Sequence, residues 1–177
     1  RVPAGVIACT GATGMGACDD IAAICKVAQA HGLYTHVDAA WAGAAMICPE
    51  YRDLWKGVEM ADSVVFNPHK WLFTNFDCSA HYVKEPDDLV RTLTILPEFL
   101  KSREQGQVID YRDWSVPLGR RFRALKLWMS VKVFGWQAFR AAIVTGFERA
   151  ELAEAAIRKL AGWEVMTPAQ MAVVTFR

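Results

Sequence analysis

A lysine at the end of a predicted strand is the residue of this sequence best placed for covalent chemistry. Lys70 lies in SVVFNPHKW, residues 63–71, where a strand-like apolar run meets a polar turn. Partial burial and a neighbouring imidazolium leave part of a lysine's amine uncharged and free to attack a carbonyl carbon. The position of Lys70, directly after His69, therefore favours a Schiff base, although most loop lysines are simply solvated.

A carboxylate at the end of an earlier strand-like run strengthens this interpretation. Asp38 precedes a set of small residues, which are Ala39, Ala40, Ala42 and Gly43. A pyridoxal cofactor needs a carboxylate at its ring nitrogen, so that the nitrogen stays protonated and the ring withdraws electrons. Small neighbours would let a planar ring lie against the chain. Asp38 and Lys70 together favour pyridoxal chemistry, whereas Asp38 alone could equally cap a loop or a helix.

Alternating strands and helices must bring these residues together. The apolar spacing predicts strands at GVIAC, LYTHVDAA and DSVVF, with a helix over CDDIAAICKVAQAHG and a short helix over PEYRDLWKGVEMA between them. This alternation is typical of an α/β fold with a parallel sheet. Ligands bind beyond the carboxyl ends of such strands. We therefore expect the Gly-rich loop at 10–17, Asp38 and residues 67–70 to converge.

The second half of the chain predicts a change of architecture. CSAHYVK predicts a further strand, EPDDLVRTL a helix, and residues 97–119 a long polar loop. Two helices separated by Gly135 follow. They precede two predicted strands, WEVMT and MAVVTFR, which a turn at Thr167 and Pro168 would join.

The composition argues against several classes of protein. The chain has 177 residues, 53% of them hydrophobic. Its formal net charge of +1 predicts no strong electrostatic attraction to nucleic acid or to an anionic membrane. No apolar run approaches the roughly 20 residues of a membrane helix, and the start lacks a signal-peptide layout. Five cysteines without a Cys-x-x-Cys pair argue against a disulfide framework or a zinc ribbon and favour the cytoplasm. Because the chain lacks a starting Met and opens and stops at strand-like runs, we expect an internal piece of a longer protein.

The chain resembles the group II pyridoxal-phosphate-dependent amino-acid decarboxylases, the aromatic-L-amino-acid decarboxylase family. The resemblance lies in HVDAAWAGAAMICPEYRDLWKGVEMADSVVFNPHKWLFTNFDCSAHYVK and DYRDWSVPLGRRFRALKLW, and it extends to about residue 140. It implies an aminotransferase-like type I fold. Residues 1–125 would form part of the large cofactor-binding domain, including a lid loop at about 97–119. Residues 126–177 would form a linking helix and the beginning of the small C-terminal α+β domain.

The resemblance also implies roles for single residues. Lys70 would hold pyridoxal 5′-phosphate as a Schiff base, Asp38 would pair with the ring nitrogen, and Ala40 would pack on the ring. Asn67 and His69 would lie near the phosphate and the Schiff base. The implied activity is that of a carboxy-lyase, which converts an L-amino acid to its amine and carbon dioxide.

The implied substrate pocket contains a departure from the family pattern. Trp71, Phe76 and Phe99 provide apolar surroundings that favour an aromatic amino acid. Phe99, in LPEFLKS, stands where the family usually has a lid tyrosine that helps to return a proton after carbon dioxide leaves. Phenylalanine has no O–H to donate, so the alternative product is an aldehyde, formed when dioxygen intercepts the reaction. Equally, Phe99 could only pack within the lid while Tyr111 or water supplies the proton.

Other family features are changed or missing. Cys9 and Ala12 replace hydroxyl-bearing residues of the family's Thr-rich loop, so no cofactor contact is carried over to them. The phosphate-binding Ser/Thr loop and the ring-stacking histidine belong to an N-terminal portion that this chain does not contain. We therefore expect the piece alone to be inactive. The resemblance implies that the full-length protein is a homodimer with an amino-acid substrate.

Three other interpretations compete with the resemblance. TGATGMGA suggests a nicotinamide-dependent reductase, but Ala17 stands at the third glycine and the sequence has no Tyr-x-x-x-Lys pair. A metal site could combine Asp38 with histidines, but the chain lacks an HExxH-like spacing. Those histidines are His31, His36, His69 and His81. The chain could also be a non-catalytic scaffold that binds a partner through its helices.

A basic run, Arg120-Arg121-Phe122-Arg123, opens the predicted long helices. Cations in the first turn of a helix oppose its dipole, so we expect acidic partners such as Asp110 or Asp113, or a neighbouring subunit. Surface solvation is the competing interpretation. The sequence assigns the run no role in catalysis.

Overall fold

The computed structural model describes residues 1–94 and 108–177 of the chain. They belong to two compact units, one made of Arg1–Tyr82 with Arg123–Arg177 and the other of Val83–Phe122. Phe99 and residues 97–107 of the predicted lid lie outside the described residues. The domain boundary near residue 125 stays a prediction.

The main sheet has four strands whose spatial order follows the chain. These are β1 (Gly5–Cys9), β2 (Tyr34–Asp38), β3 (Ser63–Phe66) and β4 (Ala80–Val83). The first three run parallel, and their register places Asp38 between Cys9 and Val65. The predicted strands and their parallel pairing are therefore confirmed.

Helix α1 (Ile21–Ala30) packs on this sheet through a regular apolar face. Ile21, Cys25 and Ala28 are buried, at the spacing that places side chains on one side of a helix. Asp20 begins the helix as an N-cap, because its Oδ1 accepts a hydrogen bond of 2.9 Å from the amide of Ala23. The predicted helix is thus confirmed, and it begins at Ile21, three residues into the predicted segment.

The connection between β2 and β3 differs from the single short helix that the sequence predicts. It consists of three 3-10 segments, at Gly43–Ile47, Pro49–Trp55 and Val58–Met60. Gly57 interrupts the last two with a φ of 93°, and a Cβ there would lie 2.6 Å from Ala22 Cα. The close approach of the connection to α1 therefore requires glycine and ends the preceding helical turn.

The second unit contains α2 (Pro86–Leu93) and a 3-10 turn at Tyr111–Trp114. Helix α2 confirms the prediction, with Pro86 at its first turn. At this turn, Arg112 Nη2 lies 3.4 Å from Asp110 Oδ2, and Arg112 Nε lies 3.6 Å from Asp113 Oδ1. The two acids that the sequence offered as partners of the basic run therefore pair with Arg112.

Helix α3 (Arg123–Ile157) is the longest element and is broken where the sequence predicts. Gly135 has a φ of 76° and a ψ of 158°, which separates two helical halves. The second half buries Phe139, Ile143 and Phe147 on one face. Among the helices of the described residues, none has both the length and the apolar content needed to cross a membrane.

A hairpin of β5 (Val165–Gln170) and β6 (Val173–Phe176) closes the first unit. The predicted turn at Thr167 and Pro168 is wrong, because both residues lie inside β5. The chain instead turns at Met171 and Ala172, whose φ angles of 52° and 61° match the tight turns that join antiparallel strands.

The core explains why the turn lies there. Met171 is buried against the Gly-rich loop that follows β1, and burial of its side chain offsets the strained backbone. A Cβ on Gly16 would lie 3.3 Å from Met171 Cβ and would overlap the carbonyl oxygen of Gln170. The loop and the hairpin therefore interlock.

Candidate active site

The carboxyl ends of the three parallel strands meet through backbone hydrogen bonds. The amide of Thr10 donates to the carbonyl of Asp38 over 3.0 Å, which joins the ends of β1 and β2. The amide of Asn67 donates to the carbonyl of Ala40 over 3.1 Å, which joins the loops after β2 and β3. The structure thus brings together the strand ends that carry Asp38 and the segment 67–70.

Asp38 presents a carboxylate at this edge. Its Oδ1 accepts a hydrogen bond of 3.0 Å from the amide of Ala40. No group within the described residues donates to its Oδ2. Cys9 is its neighbour in the sheet; burial raises the pKa of the Cys9 thiol, and the charge of Asp38 raises it further. Asp38 therefore combines one fixed oxygen with one oxygen available to a ligand.

Lys70 is held by a tight turn. Its amide donates to the carbonyl of Asn67 over 2.9 Å, and its carbonyl accepts from the amide of Phe73 over 3.2 Å. The Pro68 side chain is buried, and its carbonyl accepts a hydrogen bond of 3.2 Å from the amide of Thr74. The Lys70 side chain is half-buried, and its ammonium has no acceptor or ionic partner in the part of the chain that the structure describes. The turn therefore fixes the backbone and leaves the amine available.

His69 is fixed by the backbone of a single residue, Cys78. Its Nδ1 lies 3.0 Å from the Cys78 amide nitrogen and 2.6 Å from the Cys78 carbonyl oxygen. Nδ1 can accept from the first in one tautomer and donate to the second in the other. Phe76 packs edge-on against the ring, at 4.9 Å between centroids. Both arrangements leave Nε2 for another partner.

Two buried polar atoms at the same strand ends lack hydrogen-bond partners within the described residues. They are Asn67 Oδ1 and Thr10 Oγ1. Buried polar atoms are almost always paired, so each of these is a candidate contact for a polar ligand. Thr10 is not among the candidate residues predicted from the sequence. Its signal was a hydroxyl at the first position after a predicted strand.

The small residues after Asp38 have two explanations. Ala39 and Ala42 are fully buried in the core, and a Cβ on Gly43 would lie 2.6 Å from Phe66 Cβ. Their size is therefore set by packing between this loop and β3. Ala40 is half-buried, and among these small residues it is the one that stays available to a ring.

The Gly-rich loop after β1 does not have the form of a nucleotide-phosphate cradle. The amides of Gly11, Ala12, Met15 and Gly16 all donate to carbonyls of the same loop, two of them to Ala17 and two to Ala12. A phosphate site needs such amides unoccupied at the start of a helix. Helix α1 begins only at Ile21, so the geometry does not fit the nicotinamide alternative.

The histidines of the metal alternative do not form a single cluster within the described residues. His36 Nδ1 lies 2.7 Å from Ser63 Oγ, and the ring packs edge-on against His81 at 5.8 Å. His69 is bound to Cys78 instead. Among residues 1–94 and 108–177, no group of three or more His, Cys, Asp or Glu side chains could hold a metal ion.

The aromatic residues around Lys70 have different environments. Trp71 packs into the core, edge-on to Trp41 at 4.7 Å and to Phe147 at 5.8 Å. Phe76 is 83% exposed beside His69. A cavity of about 240 Å³ adjoins Trp71 and Phe73, but Lys70 and Asp38 do not line it. Trp71 therefore packs against the core, and of the expected apolar substrate wall Phe76 is the exposed member among the residues that the structure describes.

Sequence and structure comparisons both match this chain to pyridoxal-dependent decarboxylases and related enzymes. The family described as the pyridoxal-dependent decarboxylase conserved domain matches residues 1–177. The chain is 44% identical to phenylacetaldehyde synthase of Arabidopsis thaliana and 43% identical to aromatic-L-amino-acid decarboxylase of Manduca sexta, covering 99% of this chain in both. It spans 36% and 35% of those relatives. The crystal structure of Oryza sativa TDC with PLP and tryptamine superposes with a TM-score of 0.95 at 40% identity, over 99% of this chain and 36% of that one.

Proposed function

The chain belongs to the pyridoxal-dependent decarboxylase family, and from this premise we propose that its parent protein decarboxylates an L-amino acid with pyridoxal 5′-phosphate. The predicted type I fold is confirmed by the structural match. One observation carries the proposal. An available lysine amine and an available carboxylate oxygen lie at hydrogen-bonded ends of neighbouring strands, on Lys70 and Asp38.

The residues present fit this cofactor. Lys70 would hold its aldehyde as a Schiff base, and Asp38 would pair with the ring nitrogen. Ala40, next to Asp38, would lie against the ring. Asn67 and His69 supply polar atoms, of which the unpaired Asn67 Oδ1 supports a ligand at this place.

Each residue would contribute a separate step of the chemistry. The bound cofactor supplies an electron sink for the pair left when carbon dioxide departs. Asp38 would stabilise a positive charge on the ring nitrogen, and its Oδ2 is the oxygen available for this because Oδ1 accepts from Ala40. Lys70 would hold the cofactor between turnovers, and its amine would be free to hold or move a proton while substrate is bound. His69, fixed at Nδ1, can hold or move a proton at Nε2.

We propose an aromatic substrate class. The relatives named above include an aromatic-L-amino-acid decarboxylase and a phenylacetaldehyde synthase, and both support this class. Phe76 adds an exposed apolar ring beside His69.

A panel of amino acids tests the proposal. The intact protein with pyridoxal phosphate should release carbon dioxide from phenylalanine, tyrosine, tryptophan or dopa with a kcat/KM about tenfold or more above that for histidine or glutamate. The assay measures labelled carbon dioxide, which both the amine and the aldehyde routes produce. D-enantiomers serve as controls that should release none. Preferential release from glutamate or histidine would contradict the aromatic assignment.

As an alternative product we propose an aldehyde, because Phe99 has no O–H to donate. In the aldehyde route, dioxygen takes two electrons and becomes hydrogen peroxide, while water releases the aldehyde and ammonia. A tyrosine at this position would supply a proton to the substrate carbon before dioxygen reacts. The chain's similarity to phenylacetaldehyde synthase supports considering this route.

Substitution of Phe99 by tyrosine tests the product. Phe99→Tyr should raise the amine-to-aldehyde ratio by about tenfold or more, because a positioned proton donor typically contributes at least this much. The measurement compares amine, aldehyde and peroxide from one substrate. Phe122→Tyr is the matched control, since it adds a phenol at a side chain that is 75% exposed. An unchanged ratio in Phe99→Tyr would remove the aldehyde route as a consequence of this residue.

We also propose that the intact protein is a cytoplasmic homodimer. All five cysteines are free, which suits a reducing compartment. The first half of α3 exposes large apolar side chains, among them Trp128, Val133 and Phe134, which are candidates for burial by other parts of the protein or by a second subunit.

A further inference from the structure

The basic run has a specific partner in the structure. Arg123 Nε and Nη2 both lie 2.9 Å from Asp77 Oδ2. The hydrogen bond to Arg123 holds the pKa of Asp77 below its usual range. The side chains are 29% and 35% exposed. The expected partners, Asp110 and Asp113, pair with Arg112 instead.

Two further contacts join the first turn of α3 to the same segment. Lys126 Nζ donates to the carbonyl of Asn75 over 2.7 Å. The buried thiol of Cys78 lies 3.9 Å from the carbonyl oxygen of Arg123. The segment 75–78 is therefore held by the helix at three of its four residues.

The other side of this segment holds His69. The Cys78 backbone contacts His69 Nδ1 through both its amide and its carbonyl, and the His69 amide donates to the same carbonyl over 3.2 Å. Phe76 packs on the ring. A continuous chain of contacts thus runs from the first turn of α3, through 75–78, to the residue before Lys70.

We propose that Arg123 and Lys126 are positioning residues, which set the His69 imidazole beside Lys70 by fixing the segment 75–78. This inference rests on the proposed function. An exposed ion pair contributes little to stability by itself. Its effect here is geometric, because small displacements of a group that acts on substrate can lower the rate about 100-fold.

The first test measures the segment without reference to the cofactor. In the cofactor-free intact protein, Arg123→Gln should raise the rate at which iodoacetamide labels Cys78, which is 4% exposed, by about tenfold, because loss of the pair increases local opening. Asp77→Asn should do the same. Peptide mass spectrometry gives the rate for each cysteine.

The chain offers a matched control on the same helix. Arg140 pairs with Glu50 over 2.9 Å, and the buried Cys48 thiol lies 3.9 Å from the Arg140 carbonyl. Arg140→Gln therefore removes a similar ion pair beside a similar thiol, far along the helix from residues 75–78. It should leave the labelling of Cys78 unchanged. Equal labelling of Cys78 in Arg123→Gln and Arg140→Gln would overturn the proposal.

The second test concerns His69 and uses the protein loaded with pyridoxal phosphate. The pH midpoint of its visible absorption band should shift in the same direction in Arg123→Gln as in His69→Gln. Arg123→Gln should add no further shift in a His69→Gln background. Arg123→Lys should shift the midpoint by no more than half as much as Arg123→Gln does. Faster labelling of Cys78 without a shift of the midpoint would overturn the positioning role. A wild-type protein without a visible band would contradict the proposed function instead, while the labelling test still stands.

Discussion

Replacement of Lys70 by alanine is expected to abolish the visible absorption of the loaded protein and to lower carbon dioxide release by at least about 10³-fold. The half-buried amine of Lys70 has no acceptor within the described residues, and its turn is fixed through Asn67 and Phe73. Alanine keeps that backbone but removes the nucleophile. The proposal predicts that no other lysine replaces it.

Chemical trapping identifies the lysine directly. Borohydride reduction of the wild-type protein should attach the cofactor to the peptide that contains Lys70, and mass spectrometry should find no such product in Lys70→Ala. Lys70→Arg separates charge from covalent chemistry, because arginine keeps the positive charge but forms no Schiff base under these conditions. Lys56→Ala, at an exposed position, is the control and should behave as wild type. A visible band in Lys70→Arg, or trapping at another lysine, would contradict the assignment.

Replacement of Asp38 by asparagine is expected to lower kcat by about 10²- to 10³-fold, the usual effect of removing one group that stabilises charge in the reaction. Asparagine keeps the shape of the side chain and an oxygen that can accept from the Ala40 amide. It removes the negative charge beside the ring nitrogen. The loss should therefore appear in kcat more than in the folding of the loop.

A cofactor analogue distinguishes charge from structure at this position. Pyridoxal phosphate methylated on the ring nitrogen stays positively charged without a carboxylate, so it should restore part of the rate in Asp38→Asn. Asp53→Asn, at an exposed position, is the control. It should change neither the rate with pyridoxal phosphate nor the rate with the methylated cofactor. A variant that loses no activity, or one that the methylated cofactor leaves unimproved, would contradict the role given to Asp38.

Local patterns in the sequence predict most of the first unit. The spacing of Ile21, Cys25 and Ala28 and the N-cap Asp20 define α1 without tertiary information. Parallel pairing follows from the alternation of strands and helices, and it places the residues after β2 and β3 at one edge of the sheet. This arrangement is why the sequence alone groups Lys70 with Asp38.

Features that depend on distant contacts could not be predicted in this way. The turn at Met171 and Ala172 contains none of the residues that usually form turns. Its position depends instead on the burial of Met171, which local sequence does not show. The pairing of Arg123 with Asp77 joins residues far apart in the chain. Trp71 packs against the core through Trp41 and Phe147, which lie far from it in the sequence, so its neighbours in the chain do not indicate this position.

The interlocked Gly-rich loop and hairpin have a consequence for biosynthesis. The carbonyl of Gln170 and the side chain of Met171 close over Gly16, whose loop directly follows the first strand. A ribosome makes β1 well before the hairpin, so this closure can form only after residue 171 has emerged. Contacts of such long sequence separation form late and slowly. The end of β1 therefore lacks the cover that Gln170 and Met171 provide until translation has passed the hairpin.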